Sequence, residues 1–305
     1  MFLQTWKGRT IHLKIIDAHV HFSNITSFNH CAASDSVTDY SQGGYLNEAQ
    51  ANGVVRSVCM GLTETAPGAF PDHCAMTPMK ADLVDDLTAL PPGMSICLGV
   101  NPHDLSRRNI EEMEALIASG ERAKKDGSSR GAVSGLKVYA GYYHFHMTDP
   151  VYDPVYDLAE KYDLAVAIHT GDTYSDRGLL KYAHPLGVDE LAVARPDMRI
   201  VACHVGVPWV FDACEVAAKN RNVFIDLSGL LVGSAALIER MAKKPLLTDR
   251  YRQALVYLDD YDKILFGSDW PLVPMGAYID FCKRLIPEEA REKVFYSNAL
   301  NVYRL

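Results

Sequence analysis

Five residues of types that bind divalent metals fall at the ends of short apolar segments of this chain. His19 and His21 end the first segment, and His169, His204 and Asp269 lie near the ends of later ones. An i, i+2 pair on a β-strand points both side chains to the same face. The intervals from His169 to His204 and from His204 to Asp269 match one and two strand-plus-helix repeats. Because imidazole and carboxylate suit zinc, this convergence predicts a divalent-metal site.

Eight short apolar segments, each followed by helix-like or loop sequence, would position these residues. Several are apolar on both faces, as expected of parallel strands that are covered by helices. The predicted strands are Leu13–His21, Val54–Leu62, Met94–Pro102, Ser134–Ala140, Ala165–Gly171, Arg199–Gly206, Asn222–Gly229 and Lys263–Pro271. This alternation predicts a single (β/α)8 barrel over residues 1–305, with its active site at the carboxyl ends of the strands.

Helical patterns and two long loops fill the intervals between these strands. The predicted helices are Asn109–Lys125, Pro150–Tyr162, Ala235–Ala242, Asp249–Leu258 and Ser297–Leu305, with a break at Pro245. The segments at about 22–53 and 63–78 are rich in Gly, Ser, Asn and Pro and are predicted to be rim loops over the site. Strand alternation also predicts that Cys203, the neighbour of His204, points outward toward the helices.

The composition argues against several other classes of function. Lys and Arg number 30 against 38 Asp and Glu, so the net charge of −8 disfavours nucleic acid as a partner. The apolar runs are shorter than the ~20 residues of a membrane helix. The N-terminal segment also lacks the apolar block of a secretory signal. Seven cysteines without a C-x-x-C pair indicate reduced thiols in a cytoplasmic protein. A small-molecule substrate is the expected partner, and homo-oligomerisation stays open.

The same residues resemble the signature of a known family, the amidohydrolase superfamily of metal-dependent hydrolases. Asp17-Ala18-His19-Val20-His21 resembles its first-strand D-x-H-x-H motif, and Gly267-Ser268-Asp269-Trp270-Pro271 is similar to the G-S-D-W-P form of the amidohydrolase-2 branch. Ile168-His169 and Cys203-His204-Val205-Gly206 also match, and the resemblance runs from about residue 13 to the C-terminus. The branch includes decarboxylases, lactonases and hydratases as well as hydrolases. The resemblance therefore implies the fold and a metal site, not one reaction.

The resemblance also implies roles for the five residues. His19, His21, His169 and Asp269 would bind a first metal ion, with zinc favoured and manganese or iron as alternatives. His204 would bind a second ion or act as an acid–base residue that contacts the substrate. Asp269 would also accept the proton of the metal-bound water, whose pKa lies near 7 on zinc.

A second resemblance concerns the segment from Gly135 to Tyr142. It is similar to the fourth-strand segment of the hydantoinases and dihydropyrimidinases, in which a carboxylated lysine bridges two metals and a tyrosine stabilises the oxyanion. Lys137 and Tyr142 have the same spacing, so a binuclear centre with Lys137 as a ligand and Tyr142 as a substrate contact is one alternative. Strand-four lysines also occur in the amidohydrolase-2 branch without bridging a metal pair, which keeps a mononuclear centre as the other.

Three functions are compatible with these residues. The first is a metal-dependent hydrolase that cleaves a small amide, lactone or ester through a metal-bound hydroxide, with Asp269 and His204 as acid–base groups. The second is a lyase that decarboxylates or hydrates a carboxylated substrate, with Arg177 holding the carboxylate. The third is a barrel that binds a ligand without catalysis. Trp270, at the predicted rim, is a candidate for the wall of the substrate pocket.

Overall fold

Eight parallel strands form the central sheet of the computed structural model, which describes residues 4–6, 9–11, 13–22, 26–62, 90–125 and 132–305. The strands are β1 (Ile15–Val20), β2 (Val54–Met60), β3 (Met94–Val100), β4 (Val133–Val138), β5 (Ala165–Ile168), β6 (Arg199–Ala202), β7 (Val223–Asp226) and β8 (Ile264–Leu265). Each strand pairs with the next in chain order. A short antiparallel pair, Gln4–Trp6 with Arg9–Ile11, precedes the sheet.

Backbone contacts between the first and last strands close the sheet. The N–H of Ala18 donates to the carbonyl of Phe266 at 2.9 Å, and the N–H of Asp269 donates to the carbonyl of His19 at 2.8 Å. Val20 also forms a parallel bridge with Trp270. The predicted single (β/α)8 barrel is confirmed, and each predicted strand overlaps an observed one, although β6 and β8 end several residues earlier than predicted.

Ten α-helices lie within the described residues. They are α1 (Thr26–Cys31), α2 (Gln42–Asn52), α3 (Arg107–Lys125), α4 (Asp153–Lys161), α5 (Leu186–Ala194), α6 (Val210–Lys219), α7 (Ala235–Ala242), α8 (Pro245–Leu258), α9 (Met275–Leu285) and α10 (Asn298–Val302). The predicted break at Pro245 is present, because this proline occupies the first position of α8. Within the described ranges, we find no helix whose length and hydropathy would let it cross a membrane.

The segment at 22–53 is more regular than the predicted rim loop. It contains α1, a π-helical turn over Ala32–Ser36, and α2. The hydroxyl of Ser41 accepts a hydrogen bond from the N–H of Gly44 at the start of α2, and Gly53 ends the helix with a φ of 74°. The polar and glycine-rich composition therefore reflects helix caps as well as loop. The second predicted rim loop, 63–78, lies outside the described residues.

Two apolar layers hold the barrel together. The larger layer lies between the strands and the surrounding helices, and a smaller cluster fills the lumen. Tyr303, which follows α10, belongs to the lumen cluster together with residues of β1, β2, β5 and β6. The apolar packing of the lumen leaves the carboxyl ends of the strands for the polar residues.

Candidate active site

The carboxyl ends of β1, β5, β6 and β8 bring the five sequence-predicted residues His19, His21, His169, His204 and Asp269 into one buried group. None of them is more than 9% exposed. The centre of the His19 ring lies 5.3 Å from that of the His21 ring and 4.9 Å from that of the His204 ring. His204 in turn lies 4.8 Å from His169. The four imidazoles therefore form a continuous row across the mouth of the lumen, with Asp269 beside them.

Three of these residues converge on one point. Oδ1 of Asp269 lies 3.1 Å from Nε2 of His21 and 3.4 Å from Nε2 of His19. Across the described residues, this oxygen and Nε2 of His19 are both buried and have no hydrogen-bond partner. Buried polar atoms without a partner are costly. A divalent cation bound by two imidazoles and a carboxylate would supply the missing partner, so the residues fit the predicted metal.

The ionisation states of the group suit a cation. Burial and, to a smaller extent, the nearby Lys137 together lower the pKa of His19 to about 4, although Asp226 and Asp269 oppose the shift. Burial also lowers the pKa of His204. For Asp269, burial opposes ionisation, but His19, His21 and His204 together hold its pKa well below the usual range. Neutral imidazoles and an ionised carboxylate are the forms that bind a divalent metal.

Left-handed backbone conformations aim two of these side chains. Asp269 has a φ of 66° and His204 a φ of 63°, values that cost non-glycine residues roughly 1–2 kcal/mol. Hydrogen bonds hold both positions, because the N–H of Asp269 donates to His19 O at 2.8 Å and that of His204 donates to Oδ1 of Asp226 at 3.0 Å. Such strain concentrates at functional sites.

The left-handed conformation of His204 also explains why the prediction for Cys203 is wrong. Val201 and Cys203 share the lumen cluster while Ala202 packs with the outer one, so alternation continues through Cys203 and breaks at His204, whose φ is 63°. Cys203 therefore lies in the lumen cluster instead of facing the helices. Its Sγ accepts a hydrogen bond from Nζ of Lys137 at 3.1 Å, and Nζ also lies 5.0 Å from the centre of the Tyr139 ring. Lys137 thus contacts the thiol of Cys203 and the ring of Tyr139. The role of Lys137 as a metal ligand stays a prediction.

Both ring nitrogens of His169 have partners. A carbonyl only accepts hydrogen bonds, so Nε2 of His169 donates to Asp172 O at 2.8 Å. Nδ1 of the neutral ring then accepts from Nε2 of His204 at 3.1 Å. The structure thus places His169 against His204 and not at the point where His19, His21 and Asp269 meet. Its assignment as a metal ligand stays a prediction.

Asp226 and Ser228 belong to the site although they were not predicted as site residues. The carboxylate of Asp226, at the end of β7, accepts from Nδ1 of His19 at 2.9 Å and from the N–H of Ser228 at 3.0 Å. The Ser228 hydroxyl donates to Asp226 and lies 2.9 Å from Nδ1 of His204. Both residues are fully buried. The available signal was an acidic residue at the end of the apolar seventh strand, between the motifs of strands six and eight.

Two of the three predicted substrate contacts, Tyr142 and Arg177, have accessible positions on the segments after β4 and β5. Tyr142 lies beside the site, with its ring 4.9 Å from that of His169 and its hydroxyl accepting from the N–H of Tyr174 at 2.9 Å. Arg177 is exposed on the segment after β5 and contacts His144 through its backbone carbonyl. A substrate role for both stays a prediction.

Trp270 lies away from the site, contrary to the prediction. It is fully buried, its Nε1 donates to Oε1 of Glu48 at 3.2 Å, and its ring packs 5.3 Å from that of Tyr45. The side chain therefore fills the layer between β8 and α2 and has no accessible surface for a substrate. Phe28, whose ring lies 4.6 Å from that of His21, forms an apolar wall of the site instead.

A closed barrel with a buried histidine and aspartate group at its carboxyl end is the architecture of the amidohydrolase superfamily. The chain belongs to this superfamily, in its amidohydrolase-2 branch, because the family model described as Amidohydrolase matches residues 16–305. The predicted family is confirmed. Its members are enzymes that act on small molecules and depend on a metal.

Individual proteins that resemble this chain share less than 30% of its sequence. The chain is 27% identical over 177 residues to the L-fucono-1,5-lactonase of Burkholderia ambifaria, a match that covers 52% of this chain and about half, 56%, of that enzyme. An uncharacterised TIM-barrel protein of Bordetella bronchiseptica superposes with a TM-score of 0.66 at 19% identity, covering 95% of this chain and 98% of the other. The 5-carboxyvanillate decarboxylase of Sphingomonas paucimobilis superposes at 0.57 and 17% identity, covering 96% and 99%. These two structural similarities show the shared fold.

Proposed function

We propose that this protein is a metal-dependent hydrolase that opens a small lactone or cleaves a related ester or amide. The observation that carries this proposal is the convergence of unpartnered, buried donor atoms of His19 and Asp269 with Nε2 of His21. The partial similarity to a lactonase favours a cyclic ester among the possible substrates.

The residues that would hold the cation are His19, His21 and Asp269, with His169 as the predicted further ligand. When bound there, zinc or another divalent ion lowers the pKa of water to near neutrality and polarises a carbonyl oxygen. The neutral state of His19, which burial favours, leaves its imidazole able to bind the ion without first losing a proton.

Asp269 and His204 would move the proton that hydrolysis releases. The Asp269 carboxylate accepts the proton of the attacking water, and its Oδ2 lies 3.9 Å from Nδ1 of His204. His204 receives the proton at Nδ1 and returns it to the leaving oxygen. While protonated, His204 donates to the Ser228 hydroxyl 2.9 Å away, which donates in turn to the ionised Asp226. This chain of hydrogen bonds stabilises the charged imidazole.

Product analysis tests the proposal. The purified enzyme is loaded with zinc or manganese and offered aldonolactones and aryl esters, with acid release followed by pH-stat titration, and cyclic amides, with the ring-opened product followed by mass spectrometry. We expect lactone opening that is abolished by a chelator and restored by the metal. The same enzyme is offered hydroxy-aromatic and dicarboxylic acids, with CO2 measured.

The outcomes separate the alternatives. Release of CO2 without hydrolysis of any ester, lactone or amide would overturn the proposal in favour of a decarboxylase. Tight binding of a ligand with no turnover by the metal-loaded protein would favour the non-catalytic barrel.

Gly229 gives a steric test of the proton path. Its φ is 65°, and a Cβ at this position would lie 2.5 Å from Nδ1 of His204 and 3.2 Å from Oδ2 of Asp269. We expect Gly229→Ala to lower kcat/KM on the order of 10²-fold by displacing His204, because misplacement by about 1 Å can cost that much. Metal content should change little. Gly43→Ala is the control, since its Cβ would meet only Ser41 Oγ at 3.8 Å. Equal activity of the two variants would refute the proton path through His204.

A further inference from the structure

Among the described residues, two groups of side chains in the site are close enough to hold a cation, and His19 belongs to both. One consists of His19, His21 and Asp269, and the other of His19, His204 and Asp226. We propose that Asp226 is a positioning residue that fixes the tautomer of His19 and thereby directs Nε2 of this ring to a single cation in the first group. This inference rests on the proposed metal site and adds to it a cation number and a function for Asp226.

The hydrogen bond between Asp226 and His19 fixes which ring nitrogen carries the proton. Oδ2 of Asp226 lies 2.9 Å from Nδ1 of His19, and both side chains are fully buried. A carboxylate only accepts hydrogen bonds, so Nδ1 carries the hydrogen. A neutral imidazole has one N–H, which leaves the lone pair on Nε2, 3.4 Å from Oδ1 of Asp269. A carboxylate behind a metal-binding histidine commonly has this role.

The second oxygen of Asp226 prevents the carboxylate from turning. Oδ1 accepts from the backbone N–H of His204 and of Ser228, each at 3.0 Å, and from the Ser228 hydroxyl. The donors come from the turn after β6 and from the residues after β7. Asp226 therefore ties these two segments to His19 on β1, and its orientation does not depend on a bound ion.

The same contacts occupy the second group. The Ser228 hydroxyl lies 3.0 Å from Nδ1 of His19 and 2.9 Å from Nδ1 of His204, in addition to its bond with Asp226. The three atoms of this group that could bind a metal, Nδ1 of His19, Nδ1 of His204 and the Asp226 carboxylate, therefore all face the Ser228 hydroxyl. In the first group, by contrast, Nε2 of His19 and Oδ1 of Asp269 have no hydrogen-bond partner in the described part of the chain. This difference predicts one cation per chain.

Asp226→Asn should reverse the tautomer while keeping the shape of the side chain. Three donors face the Oδ1 position, so the amide oxygen will occupy it. The amide NH2 then faces Nδ1 of His19 and donates to it. Because Nδ1 must accept this hydrogen bond, the neutral ring carries its own proton on Nε2. A protonated Nε2 has no lone pair for a metal.

Two measurements on the full chain test this inference. In the metal-free protein labelled with 15N-histidine, NMR should show His19 protonated at Nδ1, and at Nε2 in Asp226→Asn. In a Co²⁺ titration against a competing chelator, the wild type should bind one ion, and Asp226→Asn should bind it about 10–100-fold more weakly.

Asp17→Asn is the matched control. Asp17 is also a fully buried carboxylate beside His19, but its Oδ1 accepts from the backbone N–H groups of Ser268 and His19 at 2.8 and 3.3 Å. Since these bonds involve no ring nitrogen, its Co²⁺ affinity should stay near that of the wild type and His19 should keep its proton on Nδ1.

Several results would overturn the inference. One is a wild-type His19 protonated at Nε2, which is decided without any variant and so does not depend on whether Asp226→Asn folds. Another is a folded Asp226→Asn variant with wild-type Co²⁺ affinity. Binding of two ions, with the second lost in Asp226→Asn, would make Asp226 a ligand. If the wild type binds no Co²⁺, the proposed function fails, whereas the NMR result still decides the tautomer.

Discussion

Asp269→Asn should lower kcat about 10²–10⁴-fold while the protein retains most of its metal. The amide oxygen can still approach Nε2 of His19 and of His21 and contact a cation, but it is a poor acceptor for the proton of the attacking water. Oδ2 of Asp269 also lies 3.9 Å from Nδ1 of His204, so the substitution interrupts the proton path between the two residues. The measurement is kcat together with metal content by elemental analysis.

Asp172→Asn is the control for this variant. Asp172 is an exposed aspartate next to the site, and its contact with His169 involves the backbone carbonyl, which the substitution leaves in place. Its kcat should stay close to that of the wild type. The competing interpretation makes Asp269 a ligand only, in which case excess zinc or manganese would restore the activity of Asp269→Asn. Such restoration would refute its role as general base.

His19→Ala and His21→Ala should each weaken metal binding by about 10–100-fold, with a corresponding loss of activity at limiting metal. The two variants should differ in stability. His19→Ala leaves the fully buried Asp226 without the Nδ1 donor, which should cost about 1–3 kcal/mol of unfolding free energy. Nδ1 of His21 has no partner among the described residues, so His21→Ala should unfold closer to the wild type.

Chelator competition and denaturant unfolding of the metal-free variants measure these two effects. His146→Ala is the control, because His146 bonds Thr148 at 2.9 Å and belongs to neither cation group. A double variant of His19 and His21 that kept its full metal content would show that the metal site lies elsewhere.

The strand-end residues could be predicted because a parallel barrel places the carboxyl ends of all its strands at one face. The i, i+2 pair of His19 and His21 needed only this rule, and both approach the same oxygen of Asp269. The prediction for Cys203 failed because it takes His204 as the reference for the lumen face, and His204 lies in a left-handed turn outside the strand. Cys203 keeps the face of Val201, and the positive φ of His204 then directs its imidazole to the same side.

The other misses depend on packing that the sequence does not encode locally. Asp226 is a single acidic residue without a spaced partner, and its contact with His19 bridges 207 positions of the chain. Trp270 was assigned to the rim by its position in the eighth-strand motif. Its burial depends on α2, including Glu48, in a segment whose composition suggested a loop.

The measurement that most directly tests the metal centre is an anomalous difference map from crystals of protein loaded with zinc or manganese and collected at the absorption edge of that metal. We expect one peak per chain, within bonding distance of Nε2 of His19, Nε2 of His21 and a carboxylate oxygen of Asp269, and none between His204 and Asp226. A single peak bounded by His204 and Asp226, or no peak in the barrel of fully loaded protein, would contradict this arrangement.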